Sequence, residues 1–203
     1  MNLEKTILTT GGAPGSDITW EEECLKRNLE VRSYSFKGHK SLSKNPIILT
    51  DEELKLADPF LIEANKTLKR WFPTKTEYIN NLLRRNYYQI KDVDCVIAIG
   101  KWENPKGPVK GGTGWAVQMA IDLSKQVFLF EQIENKWFLW SYIDKEWVET
   151  KPDIRTVSIS HSSCIHINDI GKGWSFAGIG TRELWDNGKE AIKQFCKMNF
   201  SVK

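Results

Sequence analysis

The chain has 203 residues, 40% apolar and 27% charged, which is ordinary for a soluble globule and enough for one substantial α/β domain. Lys and Arg number 29 against 26 Asp and Glu, and a formal charge of +3 is too weak to imply nucleic acid or an anionic membrane surface as a partner. No apolar run approaches membrane-spanning length and no signal-peptide pattern is visible; four scattered cysteines without a CxxC fit free thiols, so the cytoplasm is the expected location.

Residues 6–10 read as a short strand, followed by the loop Gly11-Gly12-Ala13-Pro14-Gly15-Ser16-Asp17. A helix is expected over about 18–27, capped by Asp17 or Thr19, with Glu21, Glu22 and Glu23 in its first turn. A second strand covers 31–36. Residues 37–50, with Gly38, Pro46 and many Ser and Lys, read as loop. Helical pieces follow over 51–56 and 59–71, the latter carrying Phe60, Ala64, Leu68 and Trp71 near helical spacing. Pro73 separates them from a helix over about 76–91 with Arg84, Arg85 and Asn86 near its middle. Adjacent residues diverge by about 100° around a helix, so one arginine is expected at a ligand and the other, Arg84, in solvent.

Cys95-Val96-Ile97-Ala98-Ile99 is a continuous apolar run, the mark of a central parallel strand. A Pro/Gly loop over 101–110 leads to Gly111-Gly112-Thr113-Gly114, which opens a helix over 115–123; a buried strand is expected at 127–131. Trp137-Phe138-Leu139-Trp140, a polar turn and Trp147-Val148 suggest a hairpin excursion, either an aromatic satellite core or a base-stacking surface. One or two short strands are expected within residues 151–170. His161, Cys164 and His166 within them are not expected to make a metal site, because odd spacing would put the two histidines on opposite faces of a strand. A last strand at 176–179 runs into Gly178-Ile179-Gly180-Thr181-Arg182-Glu183 and a helix over about 184–198. This alternation predicts one doubly wound α/β domain with a mostly parallel, Rossmann-like sheet.

The three glycine loops are the candidate site. Each follows a strand and leads to a helix, where backbone approaches a ligand closely and free N–H groups face an anion. Gly11, Gly12, Ala13, Gly15 and Ser16 could line a phosphate. Gly111, Gly112, Thr113 and Gly114 offer a sharp turn and a hydroxyl, with Lys110 adding charge. Gly180, Thr181 and Arg182 add a donor and a cation, and Asp17 and Glu183 are candidates for ribose hydroxyls. The loops match neither a Walker A sequence nor GxGxxG.

Together these segments resemble the SLOG superfamily, the Rossmann-like group that includes DNA-processing protein A, the LONELY GUY phosphoribohydrolases and YpsA-like proteins. Residues 11–17 are similar to its SGGAxGAD segment. Arg85-Asn86, Asp92, Asp94 and Gly111-Gly112-Thr113 resemble its RNxxxxxDxD…GGT portion, and residues 176–183 its GIGSRE segment. GIGSRE-like segments normally open such domains, so the resemblance implies a circular permutation, with the first strand–helix unit at 176–198 and strand 6–10 beside strand 176–179. It further implies a nucleotide or nucleotide-sugar ligand and, by family likeness, a homodimer. An N-glycosidase or phosphoribohydrolase is one alternative, and a cofactor carrier or interaction protein another. Aligning the LONELY GUY motif PGGxGTxxE on Gly111, Gly112 and Gly114 puts Val117 where that family has its glutamate. Catalysis would then need Asp17, Glu21 or Glu183 as the carboxylate. No cofactor and no metal ion is expected.

Overall fold

The computed structural model of the protein describes residues 6–152 and 174–200; the segment with His161, Cys164 and His166 lies outside them. The elements run β1 (Ile7–Thr10), α1 (Ser16–Leu25), β2 (Glu30–Phe36), β3 (Ile47–Leu49), α2 (Asp51–Lys55), α3 (Asp58–Leu68), α4 (Glu77–Ile90), β4 (Cys95–Gly100), α5 (Gly111–Asp122), β5 (Gln126–Glu131), β6 (Lys136–Ser141), β7 (Glu146–Thr150), β8 (Ser175–Gly180) and α6 (Asp186–Asn199). The described strands form one mixed sheet in the order β3-β2-β1-β8-β4-β5-β6-β7. All pairings from β3 to β5 are parallel, while β6 and β7 are antiparallel. This is the Rossmann-like α/β architecture expected, with the Trp-bearing hairpin as its antiparallel extension.

The apolar run of β4 shows why the sheet is covered on both faces. Every residue of β4 is buried. Val96 and Ala98 pack among side chains of α3, α4 and α5, whereas Cys95, Ile97 and Ile99 pack against Trp20 of α1 and Ile192 and Phe195 of α6. Successive strand residues point to opposite faces, so only a strand apolar at every position can serve two helical layers. A third, smaller cluster joins Phe36, Leu49, Leu54 and Tyr88 beside β2. Phe138 and Trp147 of the hairpin are buried in the α3–α5 core itself, and Trp140 packs edge-on to Trp147 at 5.3 Å. The hairpin aromatics therefore extend the main core and do not form a separate satellite.

Several local readings need correction. Residues 47–49 form β3 inside the stretch read as loop; a three-residue strand after Pro46 is too short to show periodicity. Helix α3 stops at Leu68, where Lys69 turns left-handed (φ 52°), so Trp71 leaves the helical stripe and is 83% exposed. Helix α1 is capped by Gly15 without any side-chain bond, and neither Asp17 nor Thr19 caps it. Arg84 is buried, not solvated: Asp58 takes its Nε and Nη2 at 2.6 and 3.0 Å, and Glu77 its Nη1.

Candidate functional site

Strand β8 is the last strand in the chain and the middle of the parallel sheet. Its neighbours β1 and β4 send α1 and α5 to opposite faces, as the two cores show. The divergence opens a crevice at the carboxyl ends of the strands, where open α/β sheets bind ligands. A cleft of about 470 Å³ lies there. Segments of all three glycine loops line it: Ala13 and Asp17 from the first, residues 110–113 from the second and 179–183 from the third. Helix α4 forms a further wall.

The second loop is the most open. Helix α5 begins at Gly111, earlier than its apolar pattern suggests, and no side chain caps it. Gly114 N–H donates to the Lys110 carbonyl, closing the first turn. The N–H groups of Gly111, Gly112 and Thr113 thus have no intrahelical acceptor. A Cβ added to Gly111 or Gly112 would meet nothing within 4 Å. Two side chains fix the loop from behind. Asn86 Nδ2 donates to Gly112 O at 3.1 Å, and Arg70 donates to the Gly111 and Val109 carbonyls at 3.0 and 2.6 Å while pairing with Glu103. Gly114 faces away from the cleft, onto Val109 and Arg70.

The first loop is largely satisfied by the protein. Ser16, read from sequence as a phosphate donor, is fully buried; both its N–H and its Oγ donate to Thr181 O, at 3.1 and 2.9 Å. Gly11 O accepts from Arg85 Nη1 at 2.5 Å, and Gly12 O accepts from Leu42 N–H at 2.8 Å. Gly11, Gly12, Gly15 and Ser16 sit outside the cleft lining, with Gly15 held against the backbone of Thr181 and Arg182.

Asp17 is buried at the floor. Burial pushes its carboxyl above the usual carboxylate range, against the opposing pull of Arg85 and of the Ala13 and Gly180 backbone N–H groups. Its oxygen lies 3.7 Å from Arg85 Nη2, a loose ion pair. Burial likewise lowers the Arg85 pKa, and Asp17 only partly offsets this. Arg85 Nε and Gln89 Nε2 are buried donors without a hydrogen-bond partner, and both residues line the cleft. Gln89 stands close enough to Asp17 to favour its carboxylate, yet its Nε2 completes no hydrogen bond of good geometry. Gln89 carries no motif signature; its only signal in the sequence is its place one turn after Arg85 on α4.

In the third loop, Thr181 Oγ1 accepts from Glu183 N–H at 3.1 Å. The Arg182 side chain has no ion-pair partner among the described residues. Glu183 is exposed, and among the described residues its carboxylate reaches Lys101 at 3.4 Å; the same Lys101 Nζ lies 4.0 Å above the Trp185 ring. Gln132, unmarked in the sequence, anchors this segment by accepting from Trp185 N–H at 2.8 Å and donating to Glu183 O. The cleft lining holds four cationic side chains, Arg85, Lys101, Lys110 and Arg182, against two carboxylates, Asp17 and Glu183. Ile79, Leu82, Leu83 and Ala116 add apolar surface to the lining. Glu21 lies beneath the first loop and outside the cleft lining, and Val117 is a core residue.

No family model and no curated protein matches the chain. Among solved structures it is similar to a crystal structure from Syntrophus aciditrophicus SB described as "Putative molybdenum carrier protein". The likeness covers 98% of this chain and 96% of that one, with a TM-score of 0.53 and 14% sequence identity. At that identity the two share a fold. No helix among the described residues is long and apolar enough to cross a membrane.

Proposed function

We propose that the protein binds a phosphate-bearing small molecule, a nucleotide or nucleotide-sugar derivative, in the cleft over β8. The observation that carries this reading is the uncapped, unobstructed start of α5 at Gly111–Thr113, in a cleft that also holds the unpartnered donors Arg85 Nε and Gln89 Nε2. Helix N-terminal amides and unpaired guanidinium donors both favour an anion. The apolar surface of Ile79, Leu82 and Leu83 offers a face for a ring. The SLOG resemblance points the same way, and the place of β8 beside β1 supports reading β8–α6 as a displaced first strand–helix unit. Calorimetry against inorganic phosphate, AMP and ADP-ribose tests the reading: micromolar binding that Arg182→Gln weakens is expected. Silence across all three ligands would remove it.

A carrier role, binding without turnover, is the second reading. It is favoured by the description of the structural neighbour and by Val117, which puts no carboxylate at that position of α5. Release of free base from AMP by the purified protein, abolished in Asp17→Asn, would overturn the carrier reading in favour of a hydrolase.

A further inference from the structure

The cleft over β8 holds two sets of donors, and they stand over different strand ends. One set is the start of α5. Lys110 N–H donates to the carbonyl of Lys101, the residue after β4, at 2.8 Å, so the free amides of Gly111, Gly112 and Thr113 stand over the end of β4. The other set belongs to α4. Arg85 and Gln89 are one turn apart on that helix and are 5% and 1% exposed. A Cβ on Gly11, the first residue after β1, would run into both the Arg85 guanidinium and Gln89 Nε2. The two groups therefore stand side by side over the end of β1. Arg85 Nη1 is spent on the Gly11 carbonyl, while Arg85 Nε and Gln89 Nε2 have no partner.

Arg182 adds a second guanidinium from the loop after β8. Burial lowers the Arg85 pKa, Asp17 works against this and Arg182 adds to it, so the two cations lie within electrostatic reach of each other. Arg182 has no ion-pair partner among the described residues. Asp17 is a poor counter-ion for both. It lies 3.7 Å from Arg85 Nη2, and its carboxylate is also drawn to the Ala13 and Gly180 N–H groups. Two guanidiniums and an orphaned amide donor thus face one carboxylate with other commitments, and all four residues line the same cleft.

Asn86 both joins the two donor sets and holds them apart. Its Oδ1 accepts from Arg85 Nη2 at 3.4 Å, and its Nδ2 donates to Gly112 O at 3.1 Å. A whole side-chain amide separates the sets, and β8 lies between the strand ends that carry them, which are about 10 Å apart. The adjacent phosphates of a diphosphate share a bridging oxygen and are too close together to fill both places.

We propose that the cleft takes a bisphosphate, with one phosphate at the start of α5, the other between Arg85, Gln89 and Arg182, and a sugar-sized body between them. This rests on the anion-binding reading of the cleft and names its ligand class more closely.

The test is calorimetry of the full-length protein with inorganic phosphate, AMP, ADP and adenosine 3′,5′-bisphosphate, and with fructose 6-phosphate beside fructose 1,6-bisphosphate. At least one bisphosphate should bind about tenfold more tightly than its monophosphate, the effect of charge-assisted hydrogen bonds at a second place. ADP should gain much less over AMP. Gln89→Met removes an unpaired donor and leaves no new buried polar atom, so it should fold as the wild type does. Gln89→Met and Arg182→Gln should each narrow the bisphosphate preference while affecting AMP less, with thermal melting confirming the fold. If the monophosphates bind and neither bisphosphate gains, or ADP gains as much, the second place is overturned and its orphaned donors are served by buried water. A preference that survives both variants overturns its assignment to these residues. If inorganic phosphate and every organic phosphate are silent, the anion reading itself fails.

Discussion

The first and second glycine loops look alike in sequence and do opposite things. Around Gly11–Asp17 the space left by missing side chains is filled by the protein. Arg85 and Gln89 lie on Gly11, Thr181 takes both donors of Ser16, and Asp17 takes backbone N–H groups of Ala13 and Gly180. Around Gly111–Thr113 the space is empty and the amides are unclaimed within the helix. Glycine before a helix thus marks close approach, and only the surroundings decide whether the approaching group belongs to the protein or to a ligand. The first loop is best understood as the joint that holds α1 against β8. The second leaves its space open, as the proposed anion site requires.

Four measurements can break or sharpen that contrast. The largest effect is expected at Arg85. Arg85→Met leaves Asp17 buried without its cation and should cost about 3 kcal/mol in urea unfolding. Adding Asp17→Asn should recover more than half of it, and an additive double mutant would show that the loose pair is not coupled. Next is Gly180→Ala, whose Cβ would lie 2.5 Å from Ser16 Oγ and 2.6 Å from the Ile99 carbonyl. Overpacking at this joint should cost about 2 kcal/mol, and an unchanged melting temperature would mean that the joint is slack.

The third is a pH effect. Burial first, then Arg85 and Arg182, bring the His39 pKa from 6.5 down to about 4. Its share of stability is complete above pH 6.5. As the pH falls toward about 4 the unfolded chain takes up a proton that the folded protein refuses, and that share is lost. The wild-type protein should therefore lose stability across this window more steeply than His39→Gln, and parallel curves would contradict this. The smallest effect is at Gly112. Gly112→Ala meets nothing within 4 Å and should stabilise α5 by up to about 1 kcal/mol. The same methyl group should weaken phosphate binding, and tighter or unchanged binding would place the anion elsewhere.

The fold was largely legible because strong patterns matched real burial. The unbroken apolar run of β4 announced a strand covered on both faces, and the glycine segments announced the strand–helix junctions at the carboxyl edge. Expecting strand 176–179 beside strand 6–10 placed β8 correctly. What was illegible depended on partners distant in sequence. Ser16 has the residue type of a phosphate donor, and only the carbonyl of Thr181, across the sheet edge, shows where its hydroxyl goes. Arg84 and Arg85 are indistinguishable as letters, and Asp58, Glu77 and Gly11 separate their roles. Gln89, Arg70 and Gln132 belong to no motif, because what they do is bond to backbone or stand unpaired at a surface that exists only after folding.

The central position of β8 also governs the order in which the sheet can close. A ribosome delivers β1 and β4 early, yet neither can pair across the middle of the sheet until β8 follows them out of the exit tunnel. Until then α1 lacks β8 and α6, two of the elements it packs against, and the two halves expose unpaired edges to other chains. Assembly of the carboxyl edge therefore waits for β8, whereas a sheet built outward from its first strand would grow one strand at a time.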